Sequence, residues 1–413
     1  MALTSPRSGP FLTLLLALVA CGGHSTAVSP APRQYLYAWT GSADTTQPDF
    51  MAVLDVTELT DPTQRYGDLI TTVPVPGLHN VPHHTEHEMP ADRQLFANGF
   101  GSGQSWIFDM TDPVHPVITQ QFGDIDGYTH PHSFLRLPGG NVLATFQMRH
   151  QDGAMLPGGL VEMTPQGKVL KSSSADAPGI DPTTRVYSAG VVPSLDRIVT
   201  TTTDMHDDSP ASAQLQIWRL SDLALLHTIT LPNGPRGDEG LLAAEPRLLA
   251  DGKTLLVSTF NCGLYLMEGV ETETPSARLV ASFPVKSTTS CAIPVVSGHF
   301  YLITVPAWSA VVSLDISDPA HPREVSRAVL DSGDVPHWIS ISPDQHRVVI
   351  TGYGTMRNTI VIARFDPATG QLAVDQRFRE PGASSPGYVM KGKSWPHGGH
   401  EDGVPHGTVF SRP

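Results

Sequence analysis

The sequence predicts an all-β fold, and three observations carry that reading. Short alternating or apolar runs recur along the chain, among them LFANG, SWIFDM, NVLATF, DRIVTTT, LQIWRL, KTLLVSTF, HFYLITV, AVVSLDI, RVVITGY and TIVIARF, while helical periodicity is scarce. The 37 Gly and 37 Pro among 413 residues supply turns between those runs. The runs are also self-similar. Pro131-His132 and Pro336-His337 each open a segment in which a Pro (Pro138, Pro343) follows the His at the same distance and a hairpin leads into an apolar strand. A spacing of roughly 45–60 residues per four strands is the size of one propeller blade. Starts near 82, 131, 186, 243, 290, 336 and 396 predict a seven-bladed β-propeller. A six- or eight-bladed ring is the alternative.

In chain order, residues 1–20 read as a secretory leader, with Arg7 ahead of the short apolar run Phe11 to Ala20. Leu18-Val19-Ala20-Cys21 resembles a bacterial lipobox, so Cys21 is the expected lipidated N-terminus. A plain signal peptide cut elsewhere is the other reading. Residues 21–33 form the lipidated Cys and a small, polar tether. This predicts a lipid anchor at the bacterial cell envelope, on the periplasmic or outer-membrane face, with membrane contact through the anchor only. Residues 34–413 are then one propeller. Residues 34–75 (QYLYAWTG, DFMAVLDV, DLITTVPV) supply the outer strands of the last blade and the segment after His397 its inner strands, so the termini close the ring. A strand leading into an Asp-Pro turn recurs at Phe108 to Pro116 and at Leu314 to Pro322.

With 26 Lys and Arg against 40 Asp and Glu, the net charge is -14. Nucleic acid is excluded as a partner, because neutralising phosphates needs clustered cations. After Cys21, Cys262 and Cys291 remain. In an oxidising compartment they form a disulfide, or else they are two buried free thiols. No Cys-x-x-Cys, P-loop, dinucleotide fingerprint or G-x-S-x-G elbow is present.

Histidine is the anomaly, with 18 copies. The innermost strand of each blade lines the central channel, and the repeat places His84, His132, His337 and His397 at one level of four neighbouring blades. Neutral imidazoles gathered in this way suit copper, zinc or another transition metal. His83 is an alternative to His84, His130 to His132, and His406 also follows a Pro. Strand alternation lets only one of His83 and His84 face the channel. The bland reading is that Pro-His is a turn formula of the repeat. At the same level of the other blades stand Tyr187, Ala244 beside Glu245, and Ser290 beside Cys291; Tyr187 and Glu245 are the nearest candidates for a general base.

His83-His84, His130-Pro131-His132, the Asp315-Ile316-Ser317-Asp318-Pro319 turn and Pro396-His397, in this order, resemble the selenium-binding protein/methanethiol oxidase family. The resemblance covers the chain from about residue 78 onward. It implies a seven-bladed propeller and oxidation of methanethiol by dioxygen and water to formaldehyde, hydrogen sulfide and hydrogen peroxide, with copper implicated. It further implies that His84, His132, His337 and His397 are ligands. The family's Cys-x-x-Cys after the tandem histidines is replaced here by Thr85-Glu86-His87-Glu88-Met89-Pro90, so selenium binding through that motif is not expected.

Three functions follow. The first is a copper-dependent oxidase of a small thiol. The second is a non-catalytic surface propeller that binds a protein or small ligand, its histidines or metal being structural. The third, a cation-dependent propeller hydrolase, prefers carboxylate and Asn ligands and ranks last.

Overall fold

Alternating burial along the strands explains how the sheets stack. In the computed structural model, Tyr35–Ser42 (β1) is buried almost throughout. Tyr35, Tyr37 and Trp39 pack toward one neighbouring sheet, and Leu36 and Ala38 toward the other. A blade interior has no solvent face, so odd and even side chains each serve one interface. The structure describes residues 1–2, 33–206, 211–285, 291–331, 333–352 and 357–412. Cys21 and nearly all of the leader and tether lie outside the described residues.

The all-β prediction and the blade count hold. Seven sheets form, each built outward from an inner strand. Blade 1 is Pro82–Thr85 (β4), Gln94–Gly99 (β5), Gln104–Asp109 (β6) and Val117–Phe122 (β7). Blade 2 is Tyr128–Arg136 (β8), Val142–Gln151 (β9), Ala154–Met163 (β10) and Val169–Ser174 (β11). Blade 3 is Ala189–Val192 (β12), Arg197–Thr201 (β13), Gln214–Arg219 (β14) and Leu225–Thr230 (β15). Blade 4 is Ala243–Leu248 (β16), Leu255–Thr259 (β17), Gly263–Glu268 (β18) and Ser276–Ser282 (β19). Blade 5 is Pro294–Ser297 (β20), Phe300–Val305 (β21), Ala310–Asp315 (β22) and Arg323–Val329 (β23). Blade 6 is Pro336–Ile341 (β24), Arg347–Gly352 (β25), Thr359–Phe365 (β26) and Leu372–Val374 (β27), with Tyr388–Val389 (β28) also on β26. Blade 7 takes its inner strand from the C-terminus, Gly403–Phe410 (β29), and the other three from the N-terminal side: β1, Phe50–Asp55 (β2) and Asp68–Pro74 (β3).

Seven apolar clusters fill the seven blade-to-blade interfaces. Trp39, Trp106 and Phe108 make the one that joins blades 7 and 1, each side chain contributing about 1.5–3 kcal/mol by its burial. Outer strands are polar, as in β7 (VITQQF), which is exposed along most of its length. Cys262, in the turn between β17 and β18, is bonded to Cys291 ahead of β20, with a Cα–Cα distance of 5.1 Å. The bond ties blade 4 to blade 5.

Candidate metal centre

A shared backbone irregularity builds the site. In four inner strands a Pro pairs with the second strand and one extra residue follows it. The register shifts between Pro82 and Thr85, between Pro131 and Phe134, and between Pro336 and Trp338; in β29 the shift falls between Pro405 and Thr408. Each is a β-bulge, which re-aims side chains that strict alternation would send apart. The residue after each Pro is a histidine: His83, His132, His337 and His406.

The bulge removes the expected choice between His83 and His84. Both rings face the same way and stack, with centroids 4.2 Å apart and planes 8° from parallel. The two residues span the bulge, and the His84 N–H is held by Asn98 Oδ1 at 2.7 Å. His83 Nε2 lies 3.0 Å from His132 Nε2. The His406 ring is 4.2 Å from His83 and 4.8 Å from His337, and the His84 ring is 4.2 Å from His132. Ring nitrogens of His83, His84 and His132 come within 4.8 Å of one another, as do those of His84, His337 and His406. Five imidazoles from blades 6, 7, 1 and 2 therefore meet at one level of the channel. Tyr187, Ala244, Phe260, Ala292, Ile293 and Trp338 form a mainly apolar cluster beside them.

The structure places the other sequence candidates elsewhere. The inner strand of blade 7 starts at Gly403, not near 396. His397 consequently falls in a turn beside the outer strand. Its Nδ1 pairs with Thr72 Oγ1 on β3 at 2.7 Å, and its ring packs on Phe50 at 4.9 Å. The signal for His406 was present in Pro405-His406, the same dipeptide that opens the other histidine strands. His130 adopts a left-handed backbone (φ 57°) and packs against His206 at 4.7 Å and Phe100 at 5.8 Å, outside the five-imidazole cluster.

Burial decides the electrostatics. His83, His84, His132 and His406 are 0–2% exposed. Desolvation holds His132 down to about 3 and His337 to about 4, and pushes His83, His84 and His406 well below the ordinary imidazole value, neighbouring imidazoles adding to all of these but His337. All five are neutral at pH 7, which is the metal-binding form.

These residues fit a transition metal. His84 Nε2 is buried with no hydrogen-bond partner among the described residues, an arrangement that costs about 1–3 kcal/mol unless something accepts its bond. The donor set is imidazole alone, which favours copper or zinc over calcium or magnesium. His83, His84, His132, His337 and His406 would hold such an ion through their ring nitrogens.

A polar network absent from the sequence reading backs the ring. His132 Nδ1 is 3.1 Å from Ser133 Oγ, Ser133 Oγ is 3.4 Å from Ser188 Oγ, and Ser188 Oγ donates to Glu245 Oε2 at 2.7 Å. Arg247 clamps that same oxygen at 2.6 Å and reaches His87 Nε2 at 2.9 Å. His87 stacks on Trp338 at 4.1 Å. A void of about 20 Å³ lies among His84, His87, Ser133, Ser188, Glu245 and Arg247. Past His87 and Arg247 the channel widens into a chamber of about 510 Å³.

No family model matches the chain. A methanethiol oxidase from Hyphomicrobium sp is 33% identical over 122 residues, which are 28% of this chain and 26% of that protein. The match thus spans about a quarter of the relative's length. Over that segment the chain is a distant relative of this methanethiol oxidase. In fold it is similar to a hypothetical selenium-binding protein from Sulfolobus tokodaii, with a TM-score of 0.72 at 17% identity over 92% of this chain and 94% of that one. It is also similar to the periplasmic gluconolactonase of Pseudomonas aeruginosa, with a TM-score of 0.62 at 14% identity over 92% and 99%. At such identities the structural likenesses speak for the fold alone. Among the described residues, no helix is long and apolar enough to cross a membrane.

Proposed function

We propose that this chain is a cell-envelope metal-binding protein whose channel histidines hold a transition-metal ion, copper first and zinc second. One observation carries the reading: five neutral imidazoles converge at one channel level, with the His84 Nε2 buried and unpartnered. Copper heads the affinity order for nitrogen sites of this kind. Envelope location and lipid anchoring rest on the lipobox at Cys21 and on the Cys262–Cys291 bond, which persists in oxidising compartments. In its plain form the propeller binds a protein or small ligand across its face, and the ion serves structure.

A second reading, oxidation of a small thiol, is favoured by the sequence match to a methanethiol oxidase. Copper, when bound, supplies electron exchange between a thiol and dioxygen. The chain's own part is positioning and exclusion. The imidazoles fix the ion, while Phe100, 5.5 Å from His83, and Phe260, 6.4 Å from His337, flank the rings and limit approach to small molecules.

Titrating metal-free protein with Cu(II) and Zn(II) tests the first reading. Saturable binding, weakened about tenfold or more in His84→Ala, is expected. No tight ion in the wild type would overturn it. Supplying methanethiol and dioxygen to the copper-loaded protein separates the readings: peroxide and hydrogen sulfide support the oxidase, and binding without turnover leaves the binding propeller.

A further inference from the structure

The geometry points to Glu245 as a positioning residue that fixes the tautomer of His132 through Ser188 and Ser133. This rests on the metal-binding reading above.

The direction of the hydrogen bonds along this chain is set at its far end. The Glu245 carboxylate accepts only, and Arg247 holds its Oε2 at 2.6 Å with side-chain exposures of 15% for the Arg and 2% for the Glu. Ser188 must therefore donate to Glu245 Oε2, across 2.7 Å. A hydroxyl has one proton, so Ser188 Oγ is left as an acceptor and takes the Ser133 proton across 3.4 Å. Ser133 Oγ in turn accepts from His132 Nδ1 at 3.1 Å. The hydrogen then sits on Nδ1, and the lone pair sits on Nε2. That is the nitrogen lying 3.0 Å from His83 Nε2, inside the cluster. Both intervening side chains, Ser133 and Ser188, are buried.

The carboxylate stands in blade 4, while the histidine stands in blade 2. Ser188, just ahead of β12 in blade 3, bridges them. The network thus lets blade 4, which carries no histidine, govern a ligand in blade 2. A carboxylate acting through hydrogen bonds on a ligand imidazole typically changes metal affinity by about 10–100-fold when removed. The Tyr187 backbone carbonyl also accepts from the His132 ring, which supplies the competing explanation for its orientation.

The test uses the full chain labelled with 15N-histidine. Long-range 1H–15N spectra of the metal-free protein report which ring nitrogen of His132 carries hydrogen, and copper titration reports affinity. The wild type is expected to show Nδ1–H at His132. Glu245→Gln offers Ser188 an amide donor and reverses the chain, so a mixed or Nε2–H form is expected, with copper affinity down about tenfold. Ser188→Ala breaks the relay while sparing the Glu245–Arg247 pair, and should give the same spectral change if Glu245→Gln fails to fold. An unchanged His132 tautomer and unchanged affinity in the variants would overturn the proposal and leave the Tyr187 carbonyl as what holds the ring. If the tautomer responds but the wild type binds no ion, the metal-binding reading fails while the tautomer control stands.

Discussion

Asn98 shows how single side chains hold the histidine pair in place. Its Oδ1 accepts the His84 N–H at 2.7 Å, its Nδ2 donates to the Pro131 carbonyl at 2.5 Å, and its own carbonyl accepts Trp39 Nε1 at 2.7 Å. Three blades meet at this residue. Thr145, Thr201, Thr304 and Thr351 do similar work elsewhere, each donating to a carbonyl at the bulge level of the next blade: Tyr187, Ala244, His337 and His406. Asn98→Ala leaves a buried donor and a buried acceptor unmatched. It is expected to lower stability by about 2–3 kcal/mol and to loosen the His83–His84 stack. Denaturant unfolding, followed by metal titration of the folded variant, checks both. Unchanged stability would mean that the bulges hold without this bond.

At the scale of the strand, the bulge separates what was legible from what was not. Blade starts were readable because each pairs a Pro or a small residue with an apolar strand and a turn, and six of the seven inner strands begin within a few residues of the positions read from the repeat. Strand alternation predicted that His83 and His84 point apart; the extra residue opposite Asn98 turns both the same way. No periodicity announces a one-residue bulge, since it changes side-chain direction without changing composition. The last blade start was misplaced for a related reason. Pro396-His397 looks like the other openings, yet Trp395 to Gly398 closes a turn and the strand waits until Gly403. Gly407 marks the true bulge of β29. A Cβ there would meet the Thr85 nitrogen at 2.6 Å and the His83 carbonyl oxygen at 3.0 Å. Gly407→Ala is expected to push β29 from β4, to cost about 1–3 kcal/mol and to weaken metal binding. Thermal unfolding and copper titration read the two effects; wild-type values for both would contradict the close approach.

Across the whole molecule, the ring makes stability depend on pH. Ordinary imidazole titrates near 6.5, whereas burial holds His132 near 3 and His337 near 4 in the folded protein. Between these values the unfolded chain binds protons that the folded one does not. Their stabilisation is therefore fully present above about 6.5 and is lost as pH falls toward 4 and then 3. For His132 alone the loss between pH 7 and pH 5 is about 2 kcal/mol. Metal-free His132→Gln is expected to lose less stability over that interval than the wild type, as measured by denaturant midpoints at the two pH values. Equal losses would show that the folded protein already takes up protons at the ring. The all-β class, the closure by both termini and the gathering of histidines from blades 6, 1 and 2 were legible in the repeat, whereas blade 7 was read to contribute His397 and contributes His406. The Ser133–Ser188–Glu245 network was not: its members stand one blade apart, at separations of 55 and 57 residues, but two serines and a glutamate share no side-chain type that marks them as a set.

The metal ligands we propose are the histidines brought together by the inner-strand bulges, His406 among them, and not His397. Metal content of His406→Ala and His397→Ala, purified and reconstituted with copper side by side, tests this most directly. His406→Ala is expected to lose most of the bound ion while His397→Ala keeps it at the wild-type level. Retention in His406→Ala together with loss in His397→Ala would contradict it.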